Sequence, residues 1–140
     1  MTCDLLDTNV ISELHKPRPH GGVVNRVSEL QLNPMFLSAV TLGEIQRGIA
    51  RARKNNQANA DEIAHWADQL GQSANVLPMD ATCFRQCALL MVGRSDHLFE
   101  DAMIAATAQV RGLQIATRKV KDFAAFGVQL FNPFTRRIET

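Results

Sequence analysis

Cys3-Asp4-Leu5-Leu6-Asp7-Thr8-Asn9-Val10-Ile11-Ser12-Glu13-Leu14 is the stretch that decides the fold. A short apolar segment runs into Asp7-Thr8-Asn9, three residues whose side chains accept hydrogen bonds from the free N–H groups at a helix start. The reading is a short first strand ending at a helix start. Val10 to Leu14 follow as a short helix, closed by Pro17 and Pro19.

Working outward, the same strand-to-helix alternation repeats. Val23, Val24, Val27 and Leu30 keep a helical period, with Pro34 as the stop. Met35-Phe36-Leu37-Ser38 has the uncharged character of a buried strand. Thr41-Leu42-Gly43-Glu44 opens a helix to about Lys54. After the polar break Asn55-Asn56-Gln57, a second helix runs from about Ala58 to Gln72, with Ile63, Trp66, Ala67 and Leu70 on one face; the two form a helical hairpin. Asn75-Val76-Leu77-Pro78 is a short strand, and Asp80-Ala81-Thr82 caps a helix reaching about Gly93. Glu100-Asp101 starts another, from Ala102 to Arg111, stopped by Gly112. Leu113–Thr117 and Val128–Phe131 are strands, the last ended by Asn132-Pro133. Strands alternating with helices predict an α/β fold in three α/β/α layers, with a parallel sheet in the centre.

The 140 residues suit one domain over 1–140, since two separate cores would each be undersized. Fifteen basic and 14 acidic side chains leave a net charge of +1, which excludes a polybasic nucleic-acid glove on the average, though not locally. No apolar run approaches the ~18 residues a bilayer span needs, so no membrane role is expected. Met1-Thr2-Cys3-Asp4 lacks a secretory start, and three cysteines is an odd count; together these point to the cytoplasm.

Open parallel sheets bind ligands at the carboxyl ends of their strands. Asp7 follows the first strand, Glu44 lies in the first turn after the Phe36 strand, Asp101 begins the helix feeding the Ile115 strand, and Asp122 follows that strand. Each acid has a local explanation. Thr41 to Glu44 matches a capping box, Asp101 complements a helix dipole, Asp7 suits an N-cap and Asp122 a turn. Four independent caps have no reason to crowd one edge, however, and clustered carboxylates repel unless a cation sits among them. Mg²⁺ or Mn²⁺ fits, because these hard cations take oxygen ligands.

These residues also carry a family resemblance. Leu5 to Leu14, Gly43-Glu44-Ile45-Gln46-Arg47-Gly48-Ile49, Asp101 to Ala108, Thr117-Arg118-Lys119-Val120-Lys121-Asp122-Phe123 and Asn132-Pro133-Phe134 occur in the order seen in PIN-domain ribonucleases, specifically the VapC-type toxins of toxin–antitoxin pairs. The resemblance implies that Asp7, Glu44, Asp101 and Asp122 form an acidic quartet holding Mg²⁺ or Mn²⁺, supported by the hydroxyls of Thr8 and Thr117. It implies a metal-dependent endoribonuclease that hydrolyses phosphodiester bonds in structured RNA such as tRNA. It also implies a cognate antitoxin that occludes the pocket, a homodimer, and operator DNA reached only through the antitoxin. Asp7 and Asp101 would coordinate directly; Glu44 and Asp122 would hold hydration waters or complete a second site. The family usually has Asn after Thr-Arg, where this chain has Lys119.

Setting the four acids aside leaves a net +5 elsewhere, which suits a phosphate ligand around an acidic pocket. Arg47, on a helical side with Arg51, Arg53 and Lys54, and Arg118, Lys119 and Lys121 are the candidate RNA contacts. A solvated basic face explains the Arg47 helix equally well. Lys119 has two plausible placements: folded inward against Asp122, or carrying its charge outward beside Arg118 and Lys121. The second is favoured because a strongly hydrated ammonium gains by staying in water. Cys83 and Cys87 read as buried thiols and His97 as a loop residue. Two rival classes are a non-catalytic PIN-fold subunit of an operator-DNA-binding toxin–antitoxin complex, and a phosphoacceptor receiver domain using Asp80. The receiver leaves Glu44 and Asp101 unexplained.

Overall fold

β1 (Asp4–Leu6) is buried along its whole length, as a strand covered on both faces must be. A computed structural model of the chain describes residues 3–29, 35–135 and 137–139; the expectations placed on Met1, Thr2, Leu30 and Pro34 lie outside them. β1 pairs in parallel with β2 (Met35–Ser38) on one side and β4 (Gln114–Ala116) on the other, so that Leu5 stands level with Phe36 and Ile115. β3 (Asn75–Leu77) extends the sheet beyond β2, and β5 (Leu130–Asn132) extends it beyond β4, both in parallel. A sixth strand, β6 (Arg137–Glu139), pairs antiparallel with β5. The sequence reading ended at β5 and missed this strand, because Asn132-Pro133 marks the stop of β5 and equally well the turn between two strands.

Alternation along the strands divides the core. Leu6, Leu37 and Ala116 face α1 (Thr8–Leu14), α2 (Gly21–Glu29), α3 (Ala39–Arg53) and α4 (Gln57–Ser73), where Val10, Val23, Ile45, Ile49 and Ala60 meet them. Leu5, Ile115 and Leu130 face the other layer: α5 (Ala81–Leu90), α6 (Phe99–Arg111) and α7 (Val120–Ala124). This is the expected three-layer α/β/α arrangement. Ala102, Ala105, Ala106 and Ala108 of α6 are fully buried, and such small side chains let the helix lie close on the sheet. Among the described residues no helix is long and apolar enough to cross a membrane.

Local chemistry sets most boundaries. Asp7 caps α1, Asn56 caps α4 by accepting from the Asn59 N–H, and Asp80 caps α5 by accepting from the Cys83 N–H. Gly112 ends α6 in the left-handed conformation at φ 69°. Two readings need correction. The chain enters α3 at Ser38, whose hydroxyl accepts from the Val40 N–H at 3.1 Å, so Thr41 lies inside the helix and Thr41 to Glu44 is not a capping box. α7 was not expected at all; five residues are too few to display a helical period.

Candidate functional site

The strand order β3-β2-β1-β4-β5 reverses direction between β1 and β4, and the crevice at such a switch point is where α/β sheets bind ligands. Asp7 lies there, just beyond the end of β1, and its backbone N–H donates to the Ala116 carbonyl of β4 at 2.9 Å. Its carboxylate accepts three bonds from neutral donors: the Thr8 N–H at 2.8 Å, the Thr117 hydroxyl at 2.7 Å and the Asn9 amide at 2.9 Å. Burial pushes the Asp7 carboxyl above the usual aspartate range; the Thr117 and Thr8 hydrogen bonds and the Lys119 charge offset this only in part.

Glu44 reaches the same pocket from the second turn of α3. Its Oε1 accepts from the Thr8 hydroxyl at 2.9 Å, and Thr41 Oγ1 lies 3.2 Å from that hydroxyl. Thr8 thus ties the start of α1 to α3. Partial burial raises the Glu44 carboxyl as well, with the charges of Glu100 and Asp7 acting in the same direction and the Thr8 bond and Lys119 opposing.

Asp101 enters from the first turn of α6, 8% exposed, and the Lys119 ammonium lies 2.8 Å from its Oδ1. Lys119 is therefore turned into the pocket. This corrects the expectation that it points outward to meet phosphate, and its partner is Asp101 rather than Asp122. Burial pulls the Lys119 amine down, but the bond to Asp101 and the charges of Asp7, Asp101 and Glu44 outweigh it and hold the amine above its ordinary value. The energetic reason for the inward pose is this local excess of carboxylate.

Asp122 is exposed on α7 and lines a cavity of about 550 Å³ with Arg118, Lys119, Lys121, Asn132 and Thr135. Arg118 stacks over the Phe134 ring at 3.7 Å. Arg47 is engaged in a two-point pair with Glu100, at 2.8 and 3.1 Å, which bridges α3 to α6 and holds the Glu100 carboxyl below its usual range. Cys83 and Cys87 are buried free thiols, as expected, and His97 is an exposed residue bonded to Ser95. Asp80 is spent on the α5 cap, which removes the feature the receiver reading relied on.

Sequence reasoning passed over Asn9 as one of three cap formers. Its amide binds Asp7 and approaches the Thr117 hydroxyl at 3.3 Å, while its carbonyl accepts from the Arg118 N–H at 3.0 Å. Its position next to Asp7-Thr8 was the available signal. Glu100, adjacent to Asp101, was likewise read only as a helix start.

Among the described residues, no three His, Cys, Asp or Glu side chains converge as a ready-made ligand set. The donor chemistry nonetheless suits a hard divalent cation. Asp7, Glu44 and Asp101 are carboxylates from three elements, Asp7 close enough to each of the other two for their charges to interact; Arg47 pairs with Glu100, and the Lys119 ammonium interacts with all three acids.

The PIN domain family model matches residues 5–127. Toxin FitB of Neisseria gonorrhoeae is 35% identical, with 93% of this chain and 97% of the relative covered. VapC ribonuclease Y4jK of Sinorhizobium fredii is 32% identical, covering 93% and 96%. The solved structure of FitAB bound to an IR36 DNA fragment superposes with a TM-score of 0.75 at 30% identity, covering 98% of each chain. With its acids gathered at the switch point of a parallel sheet and these likenesses over nearly its full length, the chain belongs to the PIN domain family.

Proposed function

We propose that this chain is the toxin of a toxin–antitoxin pair and acts in the cytoplasm as a Mg²⁺- or Mn²⁺-dependent endoribonuclease on structured RNA such as tRNA. The observation that carries this reading is the proximity of Asp7, Glu44 and Asp101, carboxylates from three separate elements whose charges act on one another and on Lys119. The relatives named toxin and ribonuclease support it.

Asp7 and Asp101 would coordinate the ion, with Glu44 and Asp122 acting through water or completing a second position. When bound, the ion supplies the charge that activates a water for attack on phosphorus and steadies the 3′ leaving oxygen. The chain's own part is positioning. Thr117, Asn9 and the Thr8 N–H fix the Asp7 carboxylate, and the Thr8 hydroxyl orients Glu44. Arg118 and Lys121, which line the 550 Å³ cavity, would take RNA phosphates, whereas Arg47 would first have to leave Glu100 to do so.

A mainly apolar cavity of about 270 Å³ lined by Thr8, His15, Glu44, Ile45, Ile63 and Trp66 suits an antitoxin segment that buries apolar side chains and offers an Arg to the acids. Homodimer formation and operator DNA bound through the antitoxin complete the proposal; the FitAB–DNA structure supports the second. Incubation of the purified chain with tRNA should give cleavage in Mg²⁺, none in EDTA, and a loss of about 10²-fold or more in Asp101→Asn. A stoichiometric antitoxin should silence it. Cleavage indifferent to both EDTA and Asp101→Asn would sink the metal-site reading. The alternative of a non-catalytic subunit draws on one observation, that Lys119 occupies Asp101, and complete inactivity of the free chain in Mg²⁺ or Mn²⁺ would favour it.

A further inference from the structure

The acidic pocket already contains a cation supplied by the chain. The Lys119 ammonium sits 2.8 Å from Asp101 Oδ1, and its side chain remains 41% exposed, so it reaches in from the loop after β4 without being sealed there. Its backbone is anchored on the site: the Lys119 N–H donates to Thr117 Oγ1 at 2.9 Å, and that same hydroxyl donates to Asp7 at 2.7 Å. One threonine thus fixes both a candidate ligand and the root of the lysine. The ammonium is a compact charge on a flexible four-carbon stem, able to leave without disturbing the backbone. A divalent ion coordinated by Asp101 would face this ammonium across a single carboxylate, at a separation where like charges repel strongly in a partly desolvated pocket.

We propose that Lys119 is an intramolecular competitor for the divalent ion: it holds Asp101 in the metal-free protein and must swing away for metal to bind, so that this chain binds its metal more weakly than its acids alone would. The inference rests on the reading that the Asp7–Glu44–Asp101 pocket is the metal site.

The test is titration of the full chain with Mn²⁺ alone, following free Mn²⁺ by electron paramagnetic resonance, with no RNA present. Lys119→Asn should tighten Mn²⁺ binding at least tenfold, about 1.4 kcal/mol. Lys119→Arg, which keeps the cation, should bind as weakly as the parent. Lys121→Asn makes the same change in net charge two residues away, on the exposed face of α7, and should shift the affinity less than threefold. An unchanged affinity in Lys119→Asn overturns the proposal, as does an equal gain in Lys121→Asn, which would trace the effect to net charge. Should Lys119→Asn unfold, as its melting curve would reveal, Lys119→Gln serves with the same expectation. Asp101→Asn separates the two levels: if it abolishes Mn²⁺ binding while Lys119→Asn changes nothing, the lysine inference fails alone. If Asp101→Asn binds Mn²⁺ like the parent, the metal-site reading fails and takes the inference with it.

Discussion

The two ends of β1 carry one buried aspartate each, and the chain treats them differently. Asp4, at the start of the strand, is 0% exposed and gripped by Arg26, whose Nε and Nη2 donate to its two oxygens at 2.9 Å each; Gln114 adds a third bond at 2.6 Å. Asp7, just past the strand's other end, is 1% exposed, yet its three hydrogen bonds all come from neutral groups and burial leaves its carboxyl raised. Asp4 has a guanidinium on both of its oxygens, an arginine that also reaches Glu29. Asp7 is oriented and desolvated by neutral donors, with the Lys119 charge only partly offsetting its burial, which suits the metal role proposed for it. The same residue type, at the first position of β1 and just beyond its last, is ion-paired in one place and held by neutral donors in the other. The partner, not the burial, tells them apart.

The contrast is sharpest in stability. Arg26→Met strands a buried carboxylate and should cost about 3–5 kcal/mol, read as a lowered urea midpoint, with Mn²⁺ affinity of the surviving fold unchanged. A mild effect would mean that Gln114 alone can hold Asp4. At the other end, Asp7→Asn should leave a cooperative melt while lowering RNA cleavage about 10²-fold, roughly 2.7 kcal/mol of transition-state stabilisation. If Asp7→Asn instead unfolds the chain while cleavage per folded molecule persists, the two aspartates are alike and the comparison breaks.

Smaller effects follow from the raised carboxyls. Because Glu44 holds its proton more tightly folded than unfolded, its contribution to stability is greatest below the ordinary glutamate value and declines as pH rises through the raised one. Glu44→Gln in the metal-free protein at neutral pH should therefore raise the melting temperature by about a degree or two, and added Mg²⁺ should then stabilise the parent more than the variant. Differential scanning fluorimetry measures both. Glu100 runs the other way. Lowered by Arg47, it stabilises above the ordinary glutamate value and loses that as pH falls through its lowered one. The pair is exposed, so Arg47→Ala should flatten this acid limb only slightly, and the difference should fade in high salt.

Much of this was legible in the residues themselves. The capping chemistry of Asp7-Thr8-Asn9, Asn56 and Asp80, the left-handed stop at Gly112 and the uncharged runs at Leu5 and Phe36 act over a few residues, so they declare helices, strands and their alternation without reference to the rest of the chain. Where two local signals competed, context chose: Thr41 to Glu44 spells a capping box, but β2 ends at Ser38 and the helix starts there. Charge placement was not local at all. Asp4 meets Arg26 across 22 residues, Lys119 meets Asp101 across 18, and Arg47 meets Glu100 across 53. Those pairings depend on where the sheet order and helix packing bring the side chains. The sequence alone therefore determined an α/β chain with acids at its strand ends, because hydrogen bonding and hydrophobic period are short-range. Only the tertiary structure decided which acid is neutralised by an arginine, which is held by neutral donors, and that Lys119 stands against Asp101, because Coulomb interactions act through space between residues distant in sequence.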